Sequence, residues 1–344
     1  MTVGQLFGID VPIIQAPMAG VQGSALAIAV SSAGGLGSLP CAMLAPDGIR
    51  QELAAIKAQT AKPFNVNFFC HASPVADPDR DANWRATLGP YYREFGIDVA
   101  TIKPGAGRAP FNDDAAAILE ATKPAVVSFH FGLPADDLLQ RVRASGARII
   151  ASATTIDEAR WLESRGVDAI IAQGLEAGGH RGIFLSDDLT TQVGTLALVP
   201  QMVRAVRVPV IAAGGIADAQ GVKAMLAFGA AAVQVGTAFL LCPEATTTRI
   251  HRDALQSDAA RHTALTNVFT GRPARGIVNR IVREVGPISA NAPAFPLAPA
   301  ALAPLRAEAE RRGSGDFSPL WSGQNASGCH EIPAGLLTRE LAGA

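Results

Sequence analysis

Eight short apolar runs, most followed by a stretch of helical periodicity, constrain this 344-residue chain more than any other feature. The runs fall at residues 12–16, 36–39, 64–68, 125–130, 148–152, 169–172, 208–213 and 232–235. Amphipathic stretches lie between most of them, at 24–33, 47–58, 114–121, 134–145, 156–165, 196–206 and 219–228, with Thr155 and Asp218 where N-caps belong. Short runs rich in Val, Ile and Ala suit strands buried on both faces, and strand–helix alternation implies a parallel sheet. Eight such units predict an α/β chain folded as a (β/α)8 barrel. An open doubly wound sheet ranks lower, because no G-x-G-x-x-G follows the first strand.

The regularity breaks in three places. Residues 71–108 form a long insertion after the third strand, with helix around 84–95. Residues 174–192 form a long loop after the sixth. From Pro243 the alternation stops, and the Pro- and Ala-rich stretch to about Leu320 predicts a small, mainly helical subdomain over the barrel mouth. Residues 288–304 hold four prolines and no charge, which predicts an extended wrap. Residues 321–344 end in a helix-like stretch, 334–341, that returns to the barrel. The implied division is 1–242 plus 321–344 as barrel and 243–320 as a substrate or lid subdomain. The first residues are read as leading straight into the first strand.

Charge is balanced, with 29 Lys and Arg against 30 Asp and Glu, and no basic run. That argues against nucleic acid or an anionic membrane as partner. No secretory leader is visible, and no apolar run reaches the length a membrane-spanning helix needs. Cys41, Cys70, Cys242 and Cys329 are scattered without a C-x-x-C pair, which reads as reduced thiols in a cytoplasmic protein. A homodimer is left open.

The chemistry-bearing residues cluster at strand ends. Ala213, Gly214 and Gly215 follow the seventh run, and Gly236 and Thr237 follow the eighth. Amides at those two βα turns are the place where (β/α)8 barrels hold phosphate. After the sixth run comes Ala172-Gln-Gly-Leu-Glu-Ala-Gly-Gly-His-Arg-Gly182, where Gly178 and Gly179 turn the chain so that His180 points back over the strand end. His180 is the leading general base, since a neutral imidazole near pH 7 can take or give a proton. His130 ends the fourth run, where a packed strand-end histidine is as good a reading as a ligand contact; His71 follows the third run and ranks lower. Asn67, Gln173 and Gln234 place amides at three strand ends, suiting a flat heterocycle with mixed donors and acceptors, and Met18 offers an apolar contact. No histidine pair has metal-ligand spacing, so no metal is expected.

These stretches resemble the nitronate monooxygenase family, formerly called 2-nitropropane dioxygenases, which are FMN-dependent TIM-barrel enzymes. The resemblance rests on Pro12-Ile-Ile-Gln-Ala-Pro-Met18, Phe64-Asn-Val-Asn67, Val127-Ser-Phe-His-Phe-Gly132, the Gly-Gly-His segment, Ala212-Ala-Gly-Gly-Ile216 and Val233-Gln-Val-Gly-Thr-Ala-Phe239. Thr270-Gly-Arg-Pro-Ala-Arg-Gly276 and Trp321-Ser-Gly-Gln324 fit as well, so it spans nearly the whole chain. It implies a flavin face built by Ala16, Pro17, Met18, Asn67 and Gln173, with phosphate contacts from Gly214, Gly215, Gly236 and Thr237. It implies His180 as base or positioning group, His130 beside it, and oxidation of an alkyl nitronate with O2 to a carbonyl compound and nitrite. One departure stands out. Members with this kind of tail carry two tyrosines and a lysine near the substrate, where residues 294–303 here have neither. The pocket is therefore expected to be more apolar and to lack one positive charge. The alternative function is an FMN-dependent NAD(P)H:quinone reductase or enoyl-thioester reductase, which an apolar lid would also suit.

Overall fold

The computed structural model describes residues 2–75, 77–103 and 107–343. Its strands are β1 (Ile13–Gln15), β2 (Gly37–Pro40), β3 (Phe64–Phe69), β4 (Val126–His130), β5 (Arg148–Ala153), β6 (Ala169–Gln173), β7 (Gly179–His180), β8 (Val210–Ala213), β9 (Ala232–Val235), β10 (Thr263–Thr266) and β11 (Ala274–Ile277). Eight of them form one parallel sheet in the order β1-β9-β8-β6-β5-β4-β3-β2. Its ends meet where Gln15 N–H donates to the Leu36 carbonyl and Leu36 N–H to that of Ile13, both at 2.9 Å, so the sheet closes as a (β/α)8 barrel. The helices are α1 (Val3–Phe7), α2 (Ser24–Ser32), α3 (Pro46–Gln59), α4 (Pro78–Phe95), α5 (Asp113–Thr122), α6 (Asp136–Ala144), α7 (Ile156–Ser164), α8 (Thr195–Ala205), α9 (Ala219–Ala227), α10 (Arg249–Gln256), α11 (Arg280–Val285), α12 (Pro299–Arg311) and α13 (Ala334–Ala342).

Strand periodicity sorts the barrel interior into layers. Ile14, Leu36, Val126, Ile150, Ile171, Ile211 and Ala232 share an apolar cluster at the floor. Two residues further along the same strands come Ala16, Ser38, Ser128, Ser152, Gln173, Ala213 and Gln234. The interior thus turns polar toward the mouth, where a ligand can use those groups.

The chain does not lead straight into β1. It begins with α1, where Thr2 and Gln5 form a reciprocal capping box. Val3, Leu6 and Phe7 join the floor cluster and plug the bottom of the barrel. The extended wrap expected at 288–304 does not form: residues 288–298 run through bends and turns, and Pro299 opens α12 at a position that needs no intrahelical N–H. Pro304 removes one helical bond, but Ala301, Leu302, Leu305 and Ala309 bury against Trp84, Leu88, Tyr91 and Tyr92 of α4. The mouth also carries a small antiparallel sheet, β10-β11-β7. His180, expected on a loop, is thereby paired in register with Ala274.

Candidate active site

The barrel mouth opens into one cavity, about 1320 Å³ counted out to solvent. Ala16, Pro17 and Met18 line it beyond β1, Asn67 at β3, His130 at β4 and Gln173 at β6. Ala213, Gly214 and Gly215 follow from β8, and Gln234, Gly236 and Thr237 from β9. Gly178, Gly179 and His180 come from the small sheet. Every residue singled out above for catalysis, substrate or cofactor reaches this wall. His71 stands behind it, its ring 4.8 Å from Phe295.

The end of the cavity beyond β8 and β9 is built from backbone. Gly214 and Gly215 have φ of 121° and 71°, which L side chains rarely adopt. A Cβ on Gly214 would stand 2.8 Å from Thr195 Oγ1. Among the described residues, the amides of Gly214, Gly215 and Thr237 donate to no protein acceptor, as in an anion nest. The C-terminal tail closes this end: Gly323 N–H donates to Thr237 Oγ1 (2.9 Å), and Asn325 Nδ2 to the Gly215 carbonyl (3.1 Å). Gln234 Oε1 is buried in the same wall without a partner. Free amides plus an orphaned acceptor fit a phosphorylated heterocycle that carries an N–H. Gln173, by contrast, is spent on the protein: Nε2 donates to the His180 carbonyl (2.9 Å) and Oε1 accepts from Gly182 N–H (2.7 Å).

The histidines divide by what their nitrogens meet. His130 Nε2 lies 3.2 Å from the His180 carbonyl, which can only accept, so the proton sits there and Nδ1 accepts from Ser152 Oγ at 3.0 Å. His130 thus holds the backbone of His180. His180 Nε2 lies 2.9 Å from Thr270 Oγ1, whose hydroxyl donates to the Arg272 carbonyl at 3.3 Å. That network assigns the proton to Nε2 and leaves Nδ1 open to the cavity. Burial pushes the His130 pKa down to about 3. Burial, with the cations Arg108 and Arg272 and the neighbouring His130 and His71, holds His180 well below its ordinary value. Both rings are neutral at pH 7.

His180 packs among aromatic rings, with Phe295 at 5.4 Å and Trp321, which lines the cavity, at 5.6 Å between ring centroids. Phe131 beside them adopts a left-handed φ of 69°, a strain of about 1–3 kcal/mol that clusters at functional sites. The Arg272 guanidinium covers its ring at 4.1 Å. Tyr91 and Tyr92 lie away from the cavity; Tyr92 Oη donates to the Ala301 carbonyl at 2.6 Å inside the subdomain core. Phe69 and Trp321 give the cavity an apolar wall, and residues 294–303 supply no charge to it; a positive charge comes from elsewhere in the chain. Arg108, at the end of the 71–108 insertion, lines the cavity. Sequence reasoning passed over Arg108, Phe69, Phe295 and Asn325, while Gly323 stood unremarked inside the quoted Trp321–Gln324 stretch. Thr270 and Trp321 carried a signal, since both stand in stretches quoted above.

A closed (β/α)8 barrel with free amides after its last two strands and a histidine-lined chamber beside them has the form of a barrel enzyme with a place for an anionic ligand. The family model for nitronate monooxygenase matches residues 2–342. The nitronate monooxygenase of Pseudomonas aeruginosa is 43% identical over 339 residues, covering 98% of this chain and 97% of that protein. That of Paraburkholderia phytofirmans is 43% identical over 338 residues, covering 98% and 92%. The solved structure of nitroalkane oxidase from Streptomyces ansochromogenes has a TM-score of 0.88 at 39% identity, covering 99% of this chain and 96% of that one. FabK of Thermotoga maritima is more distant, with a TM-score of 0.71 at 27% identity and coverage of 99% and 94%. This chain belongs to the nitronate monooxygenase family, whose members are flavin-dependent oxidoreductases.

Proposed function

We propose that this protein is an FMN-dependent nitronate monooxygenase that converts alkyl nitronates and O2 to a carbonyl compound and nitrite. The observation that carries the reading is His180, pinned at Nε2 by Thr270 and open at Nδ1 beside the amide nest. Gly214, Gly215, Gly236 and Thr237 would hold the FMN phosphate, with Ala16, Pro17, Met18, Asn67 and Gln234 along the ring. Bound there, FMN supplies the redox chemistry with substrate and O2. Residues 243–320, joined by α4, exclude water from the mouth, and 1–242 with 321–344 form the barrel. The balanced charge and free thiols support a cytoplasmic setting.

The state of His180 favours the nitronate over the neutral nitro compound. A base held well below its ordinary pKa takes a carbon-bound proton poorly. A nitronate has already lost that proton, and its negative charge lifts the His180 pKa as it arrives. Anaerobic mixing with a nitronate should bleach the flavin, and aerobic turnover should release nitrite. Bleaching by NAD(P)H and not by nitronates would refute the assignment in favour of a reductase. Mass spectrometry of the heat-released cofactor should find FMN; FAD or no flavin would overturn the assignment of the nest.

A further inference from the structure

We propose that Arg108 is the substrate-binding cation of this pocket, anchoring the anionic end of the substrate and setting the preference for a nitronate over its neutral nitro form. The inference rests on the functional reading above for the identity of the anion, but not for the existence of the anion site.

Its backbone is clamped to the end of β3 at two points. His71 Nε2–H donates to the Arg108 carbonyl at 2.9 Å, and Phe111 N–H donates to the Phe69 carbonyl at 2.8 Å. The side chain reaches the cavity wall, with Cζ 5.9 Å from the Phe295 ring centroid. At that distance the ring face attracts the cation and aims it without neutralising it.

The charge is unspent. Among the described residues Arg108 forms no ion pair and its guanidinium donates no hydrogen bond; burial alone lowers its pKa, and no carboxylate raises it. Among the described residues, the cavity wall holds no Asp, Glu or Lys, and Arg108 is its one arginine. His130 and His180 are neutral at pH 7, which leaves Arg108 as the permanent charge facing the substrate. A half-buried guanidinium without a counter-ion, on a clamped segment, is matched by a planar anion that accepts two parallel hydrogen bonds, the geometry of a nitronate's O–N–O group. The insertion thus supplies a positive charge that residues 294–303 do not.

The test compares Arg108→Gln and Arg108→Lys with the parent, all flavin-loaded, on propyl-2-nitronate and on neutral 2-nitropropane. Sodium nitrate, a planar unreactive anion, is titrated in parallel by calorimetry. Loss of one charge-assisted contact should raise KM for the nitronate, and Kd for nitrate, by roughly 10–100-fold, with kcat within about 3-fold. KM for 2-nitropropane should stay near the parent value, and Arg108→Lys should recover part of the nitronate loss. Equal KM changes on both substrate forms, or unchanged nitrate binding, would overturn the proposal. If the parent turns over no nitronate, the functional reading fails by itself, and nitrate titration still decides whether Arg108 binds an anion.

Discussion

Gly236→Asp tests the phosphate nest directly. Gly236 has a φ of −116°, so the backbone accepts an L residue there. A Cβ would stand 3.3 Å from Ala16 Cβ and 3.8 Å from Met18 Sδ, a tight fit that small shifts relieve. The cofactor-free fold should therefore survive. On the proposed phosphate assignment, the carboxylate would enter the space the phosphate needs. Like charges about 5 Å apart at an effective dielectric near 20 repel by about 3 kcal/mol, or about 7 kcal/mol against a dianion. Discounting half of that for solvent at the mouth leaves a loss of more than about 100-fold in affinity. Flavin absorbance per mole of purified protein should fall to near zero. The melting temperature of the cofactor-free variant should match that of deflavinated parent within a few degrees. Gly236→Ala should lose much less. A Gly236→Asp protein that retains full flavin would show that β9 does not hold the phosphate.

His180→Ala should keep the flavin spectrum but slow flavin reduction by a neutral nitroalkane by roughly 10²-fold, the low end for a general base because its pKa is held down, and by a nitronate less; equal losses in stopped-flow reduction would make His180 a positioner only. His130 and His251 have folded pKa values lowered to about 3 and about 4, mainly by burial, so the unfolded chain binds more protons between those values and about 6.5. The stability they contribute is complete above about 6.5 and is lost as pH falls toward 4. Melts from pH 7 to 4.5 should show that fall, and His251→Gln should make it shallower; a parallel fall would remove His251 from the linkage. Buried Glu158 accepts from Thr154 N–H (2.7 Å), Thr154 Oγ1 (2.8 Å), Phe184 N–H (2.6 Å) and Leu185 N–H (3.3 Å). Glu158→Gln turns an amide NH2 toward one donor pair and should cost about 2–4 kcal/mol in urea unfolding; a loss under about 0.5 kcal/mol would mean that loop relaxes freely.

Much of the barrel is visible in the linear pattern. A strand buried on both faces must be apolar throughout, and a helix packed on it must repeat at 3.6 residues, so the eight units declare themselves locally. The two glycine pairs were legible for the same reason, since the backbone at Gly214 and Gly215 admits little else. So was α1, though it went unread: Thr2 and Gln5 spell a capping box. Pro299 likewise marks a helix start as readily as a break.

Tertiary structure alone decided what depends on residues meeting across the chain. β7 is two residues long and exists only because β11, almost a hundred residues on, pairs with it. The division of labour between His130 and His180 follows from a carbonyl, a serine and a threonine that no local spacing predicts. Gln173 and Gln234 look alike in sequence, yet one is spent on the His180 loop and the other keeps a free acceptor. Arg108 is one of many arginines until the insertion folds over the mouth and His71 clamps it at the wall. Local periodicity encodes burial, and so it encodes the barrel. A site is encoded by distances between segments, which only the closed chain sets.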